Sequence, residues 1–174
     1  MKKSVAIDAY TESQRRILAQ GRLNLATVHL REAEAIRALG KAPNACVHAA
    51  YYAMHHCAAA AILLTGGVGK RKSVPDSHEH VIQHYAKLVE TGDDAARESA
   101  KWLNFARSMR AKADYNAIEG GVVQQDAEQV MLDAHAFFDF FTDRWKMQPS
   151  ADSEEALWVR RNLELLKRVD DASK

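Results

Sequence analysis

Ala49-Ala50-Tyr51-Tyr52-Ala53-Met54-His55-His56 lies inside the stretch, from after Pro43 and Asn44 to about Thr65, whose reading decides the fold. Within it Val47, Tyr51, Met54, Ala58 and Ile62 recur at steps of three and four, the period of one helix face. Leu63 and Leu64 carry the apolar character to the end, and many flanking positions are alanine. A helix that is apolar almost all round is one that other helices surround, and alanine lets their backbones come close. The stretch is the expected central helix of a bundle.

The segments on either side share the helical period. A capping-box pattern, Thr11-x-x-Gln14, opens a first helix to Leu39, with Leu18, Leu25, Val28, Ala35 and Leu39 expected on its inner side and Gly40 ending it. A third helix is expected from about Ser77 to Glu90, with Val81, Tyr85 and Leu88 inward. The fourth, about Ala95 to Asn116, places Trp102, Phe105, Ala106, Met109 and Ala113 toward the core. The fifth, about Gln124 to Lys146, has the strongest stripe, Val130, Ala134, Phe137, Phe138, Phe141 and Trp145. With 3 prolines and 8 glycines, mostly between these segments, and no alternating strand pattern, the expected class is all-α. The chain reads as an up-and-down bundle of four or five helices over 11–147. A C-terminal extension, 148–174, follows, in which Asp152-x-x-Glu155 opens an amphipathic helix carrying Trp158, Leu165 and Val169.

Composition limits the function classes. A length of 174 residues, 47% hydrophobic, fits one core with one appended element. Lys and Arg number 24 against 23 acidic residues, so the net charge of +1 supplies no global attraction to nucleic acid and any such contact must be local. Cys46 and Cys57 fall on one helix about 16 Å apart, too far to bond, which points to a reducing, cytoplasmic setting. The longest apolar run, Cys57 to Leu64, is far below the roughly 20 residues that cross a bilayer, so no membrane association is expected.

Candidate chemistry concentrates on two helices. On the fourth, Arg107, Arg110 and Asp114 follow steps of three and four and point away from the Met109 side. They read either as an exposed i,i+4 ion pair or as a site, since the planar fork of arginine matches phosphate. On the second helix, His48, Tyr52, His55 and Ala59 form a stripe opposite the apolar face. Its histidines are either surface or interface residues, or they face the fourth helix of a second subunit across a shared cleft. His80 and His84 have the i,i+4 spacing of a helical metal pair but lack the glutamate of a metalloprotease helix, and neither metal nor cofactor is expected. Gly66-Gly67-Val68-Gly69-Lys70-Arg71-Lys72-Ser73 is not a phosphate loop, because it follows a helix and Lys70 precedes Arg71. It reads as a solvated basic loop or as a contact for RNA or a partner.

Tyr51-Tyr52-Ala53-Met54-His55 and Arg110-x-x-Ala113-Asp114-Tyr115, in that order, resemble segments of HEPN-domain proteins, and the resemblance spans roughly residues 15 to 145. It implies an all-helical, homodimeric domain linked to nucleotides and RNA, often paired with a small nucleotidyltransferase or an antitoxin. Nuclease members of that family carry an arginine followed, four to six residues on, by a histidine that acts without metal. Here the count from Arg110 reaches Tyr115, and no histidine lies between Arg110 and His135. A tyrosine with an ordinary pKa of about 10 is a poor base near neutral pH. The expected function is therefore binding of nucleotide, RNA or a partner protein, with Arg107, Arg110, Asp114, Tyr52, His48 and His78 as binding residues. His78 enters because relatives carry a histidine in the loop before the third helix. Arg110, Tyr115 and His55 are the residues expected to carry any catalysis, as a metal-independent endoribonuclease. A purely structural dimer or assembly protein is the third alternative. The resemblance also marks Tyr115 as the tyrosine a partner nucleotidyltransferase would modify.

Overall fold

The structure, a computed structural model, describes residues 7–67, 77–115 and 121–150. A short 3-10 turn, Ile7–Ala9, precedes five α-helices: α1 Glu12–Ala38, α2 Pro43–Thr65, α3 His78–Val89, α4 Asp94–Tyr115 and α5 Gln124–Trp145. Among the described residues there is no strand. The all-α bundle expected from helical periodicity is what forms, and no described helix is long and apolar enough to cross a membrane.

α2 touches each of the other four helices. From Cys46 to Leu63 nearly every residue is buried, His48 and Tyr52 excepted. Helix directions follow from contacts between elements. The thiol of Cys46, near the start of α2, reaches Ala33 O near the end of α1, so these two are antiparallel. Lys112 pairs with Asp126 and Arg144 with Asp93, which sets α4 against α5. Arg107 pairs with Glu79, and the Tyr85 hydroxyl meets Ser99 Oγ at 2.8 Å, which sets α3 against α4. His78 lies beside Tyr51, so α3 starts near the head of α2 and runs in the same sense. Thus α1 and α4 run one way and flank α2, while α2, α3 and α5 run the other.

Local chemistry explains the helix ends. Gln14 N donates to Thr11 Oγ1 at 3.2 Å and Thr11 N to Gln14 Oε1 at 2.9 Å, completing the capping box at α1. Ser77 caps α3 by accepting from His80 N. Ala42, before Pro43, sits at φ 66°, a left-handed conformation that non-glycine residues adopt at a cost. Gly121 has φ 63°, and a Cβ there would lie 2.5 Å from Asn44 Nδ2. Glycine is required at that point because Asn44 Oδ1 accepts from Val122 N at 2.8 Å, tying the entrance of α5 to the head of α2.

The inner face of α1 differs from expectation. Leu18 and Leu39 are 40% and 50% exposed, whereas Ala19, Leu23, Ala26, Leu30 and Ala33 are buried. Close approach to the alanine-rich α2 favours small residues at the contact, so the larger leucines fall outside it. Val28 is buried as expected, and Leu25 is half-buried. On α4 the fully buried large residue is Leu103, while Trp102, Phe105 and Met109 pack half-buried against the core. Tyr85, Phe137, Phe141 and Met131 fill the lower core. Cys46 and Cys57 are buried free thiols. Most of the basic loop and the amphipathic segment with Trp158, Leu165 and Val169 lie outside the described residues. After α5 the chain is held on α1, where Gln20 Nε2 donates to Gln148 O and Ser150 N donates to Asn24 Oδ1, each at 2.9 Å.

Candidate functional site

The antiparallel course of α1 and α4 beside α2 brings their side chains onto the upper half of α2. Five aromatic or imidazole residues of α2 project there, His48, Tyr51, Tyr52, His55 and His56, and the first residue of α3, His78, closes over them. The His78 ring is clamped by two hydroxyls: Tyr51 Oη lies 2.9 Å from Nδ1 and Tyr52 Oη 3.4 Å from Nε2. A neutral imidazole has one donor and one acceptor, so one hydroxyl accepts while the other donates. Burial, then Arg110, His48 and Arg107, hold the His78 pKa below its ordinary value, so its ring is neutral at pH 7. Burial pushes the Tyr51 hydroxyl up to about 12 against the opposing pull of Arg110 and Arg107, which keeps it a protonated hydrogen-bonding group.

Arginines of α4 form the second wall. Arg110 Nη2 meets Asp114 Oδ2 at 2.6 Å, and the other oxygen of Asp114 lies 3.4 Å from His48 Nδ1. Asp114 therefore links the guanidinium to α2 of the same chain, so the polar stripe of α2 meets its own α4. The Nε of Arg110 is buried without a partner among the described residues. Arg107, one turn earlier, pairs with Glu79 of α3. The His55 imidazole packs 4.7 Å from the His78 ring, centroid to centroid, and both its nitrogens are buried without a hydrogen bond among the described residues. Burial first, and then His78, Arg22 and His29, lower its pKa to about 3. A ring that protonates only near pH 3 is a weak proton acceptor at neutral pH, so His78 is better suited than His55 to exchange a proton.

One expected residue stands apart. Tyr115, last residue of α4, is 78% exposed, and its side chain makes no hydrogen bond among the described residues. The remaining seven, Arg107, Arg110, Asp114, His48, Tyr52, His55 and His78, form one continuous cluster within a single chain.

Four participants were not evident from sequence. The hydroxyl of Tyr51 reaches the site although its position in the apolar repeat marks it as core. His29 of α1 stacks on His56, with centroids 5.4 Å apart and planes 5° from parallel, and Arg22 Nη1 lies 3.2 Å from His56 Nδ1. The seven-residue spacing of Arg15, Arg22 and His29 along α1 is the signal that could have placed them on one line. An open cleft of about 420 Å³ adjoins the cluster, lined by His29, Glu32, Ile36, Asn44, His48 and Asp114. No group of three or more His, Cys, Asp or Glu among the described residues is arranged to hold a metal ion.

The fold and cluster define a helical-bundle domain whose central helix carries a histidine–tyrosine face under flanking arginines. The HEPN domain profile matches residues 19–145, and the chain belongs to the HEPN domain family. Neither the curated proteins nor the solved structures yield a match.

Proposed function

We propose that this domain binds RNA through its phosphates at the face formed by Arg107, Arg110, His78, His48 and Tyr52, and that it does so without obligatory catalysis. The observation that carries this reading is Arg110. Its guanidinium is anchored through Nη2 by Asp114, close enough to the neutral imidazole of His78 to lower its pKa, and its Nε is buried without a partner among the described residues. A buried unpaired donor costs about 1–3 kcal/mol. An anionic oxygen brought by a ligand would accept a charge-assisted bond from the accessible edge of the guanidinium, on a side chain that is 23% exposed. The domain acts as a homodimer in the cytoplasm, paired with an antitoxin or a nucleotidyltransferase.

Fluorescence anisotropy of a labelled twelve-nucleotide single-stranded RNA tests this. Arg110→Gln should weaken binding about tenfold, within the range for loss of a charged hydrogen bond. Wild-type protein that leaves the anisotropy unchanged would refute the reading. The endoribonuclease alternative predicts cleavage of the same RNA in EDTA, abolished by Arg110→Gln and by His78→Gln.

The exposure of Tyr115 supports a second reading, in which its hydroxyl is the acceptor for nucleotidyl transfer from a partner enzyme. Mass spectrometry of protein co-expressed with a partner nucleotidyltransferase should then find a nucleotide on Tyr115. An unmodified tyrosine under those conditions rejects this reading.

A further inference from the structure

The arginines of α1 and α4 are treated differently by the fold. Arg97, Arg107 and Arg110 of α4 each pair with a carboxylate, from Asp94, Glu79 and Asp114. Among the described residues none of the α1 arginines, Arg15, Arg16, Arg22, Arg31 and Arg37, has a carboxylate within ion-pair distance. Arg22 is the notable one because it is half-buried against the site. Its one side-chain hydrogen bond among the described residues is to the ring of His56, which contributes no charge: burial, His55 and Arg22 lower its pKa to about 3, so it stays neutral. Burial likewise lowers the Arg22 pKa, the sign of a cation withdrawn from water without compensation.

Position supports a ligand role. At 100° per residue, Arg15, Arg22 and His29 fall within about 40° of one another on α1, whereas Gln20 and Asn24, which hold the chain after α5, lie about 160° away from Arg22. The C-terminal strap at Gln148 and Ser150 therefore runs along the other shoulder of the helix. From Arg22 a line of rings leads to the Arg110 side: His56 to His55 at 5.5 Å and His55 to His78 at 4.7 Å, with Tyr52 in contact with all three. Two guanidiniums, one per flanking helix, thus stand at opposite ends of a single imidazole row.

We infer that Arg22, supported by His56 and His29, is a second phosphate contact on this face, and that the ligand is a single-stranded RNA long enough to place separate phosphates on Arg22 and on Arg110. This rests on the RNA-binding reading above and extends it from one phosphate contact to two.

The test uses full-length protein and the same labelled twelve-nucleotide RNA, titrated across salt concentrations. Arg22→Gln should weaken binding three- to tenfold and reduce the slope of log K against log salt by about 0.7, the signature of one lost phosphate contact on a single strand. Arg31→Gln, on the same helix about 180° from Arg22, should leave both values near wild type. Arg22→Lys keeps the charge and should retain most of the slope. It loses the planar fork, so it should bind about threefold more weakly than wild type, and it serves as the readout if Arg22→Gln loses cooperative melting: an affinity equal to that of Arg31→Gln would then overturn the inference. Binding by Arg22→Gln that matches Arg31→Gln, while Arg110→Gln is weakened, overturns the second contact and leaves the RNA-binding reading standing. Failure of wild-type protein to bind the RNA overturns both.

Discussion

The two halves of α2 are buried to similar extents and composed in opposite ways. From Cys57 to Leu63 the helix presents alanines, a cysteine, an isoleucine and a leucine, all at most 2% exposed, against Tyr85, Phe137 and Phe141. From His48 to His56 it buries Tyr51, His55 and His56 with His48 and Tyr52 half-exposed beside them, and both nitrogens of His55 have no hydrogen bond among the described residues. Apolar burial of the first kind stabilises the bundle at roughly 25 cal/mol per Å². Polar burial of the second kind is costly unless partners complete it. The lower half holds the fold together, and the upper half carries groups that a ligand would satisfy.

This contrast can be broken by experiment, beginning with the lower half. Phe137 is fully buried, and Phe137→Ala should cost about 3–5 kcal/mol, read as a lowered denaturation midpoint. A loss under about 1 kcal/mol would mean that the lower core is not the seat of stability.

Acid should attack the upper half. His55 and His56 stay neutral in the fold down to about pH 3, whereas in the unfolded chain histidine protonates near pH 6.5. Their contribution to stability is therefore complete above about pH 6.5 and declines as pH falls toward 3, by as much as about 1.4 kcal/mol per pH unit for each ring. Urea melts between pH 7 and 4 should show this slope, and a His55→Gln/His56→Gln variant should flatten it. A wild-type curve as flat as that of the variant would show that the rings are not held neutral.

Smaller effects sharpen the same contrast. His55→Met removes two unpaired nitrogens at similar volume and should stabilise the fold by about 1–3 kcal/mol while weakening RNA binding. A destabilised variant would show that the ring has a partner in solution. Ala42→Gly should add about 0.5–1 kcal/mol by relieving the left-handed φ before Pro43, which thermal melting can resolve.

Periodicity made the bundle legible because long helices repeat their apolar positions many times, and α2, α3, α4 and α5 begin and end within one or two residues of expectation. The inner face of α1 was misread because leucine was weighted above alanine, whereas contact with an alanine-rich partner selects small residues. The site was legible where residues share a helix: Arg107, Arg110 and Asp114 on α4, and His48, Tyr52 and His55 on α2. It was illegible where the contact joins different helices. Nothing in local spacing shows that Arg22 would meet His56, or that the Tyr51 hydroxyl would leave the core to hold His78.

The most direct test of a phosphate-binding upper face is to record the imidazole resonances of the eight histidines as the twelve-nucleotide RNA is added. Shifts at His48, His55, His56 and His78, with His84 and His135 unmoved, are the expected result. Shifts confined to other histidines, or none at saturating RNA, would contradict it.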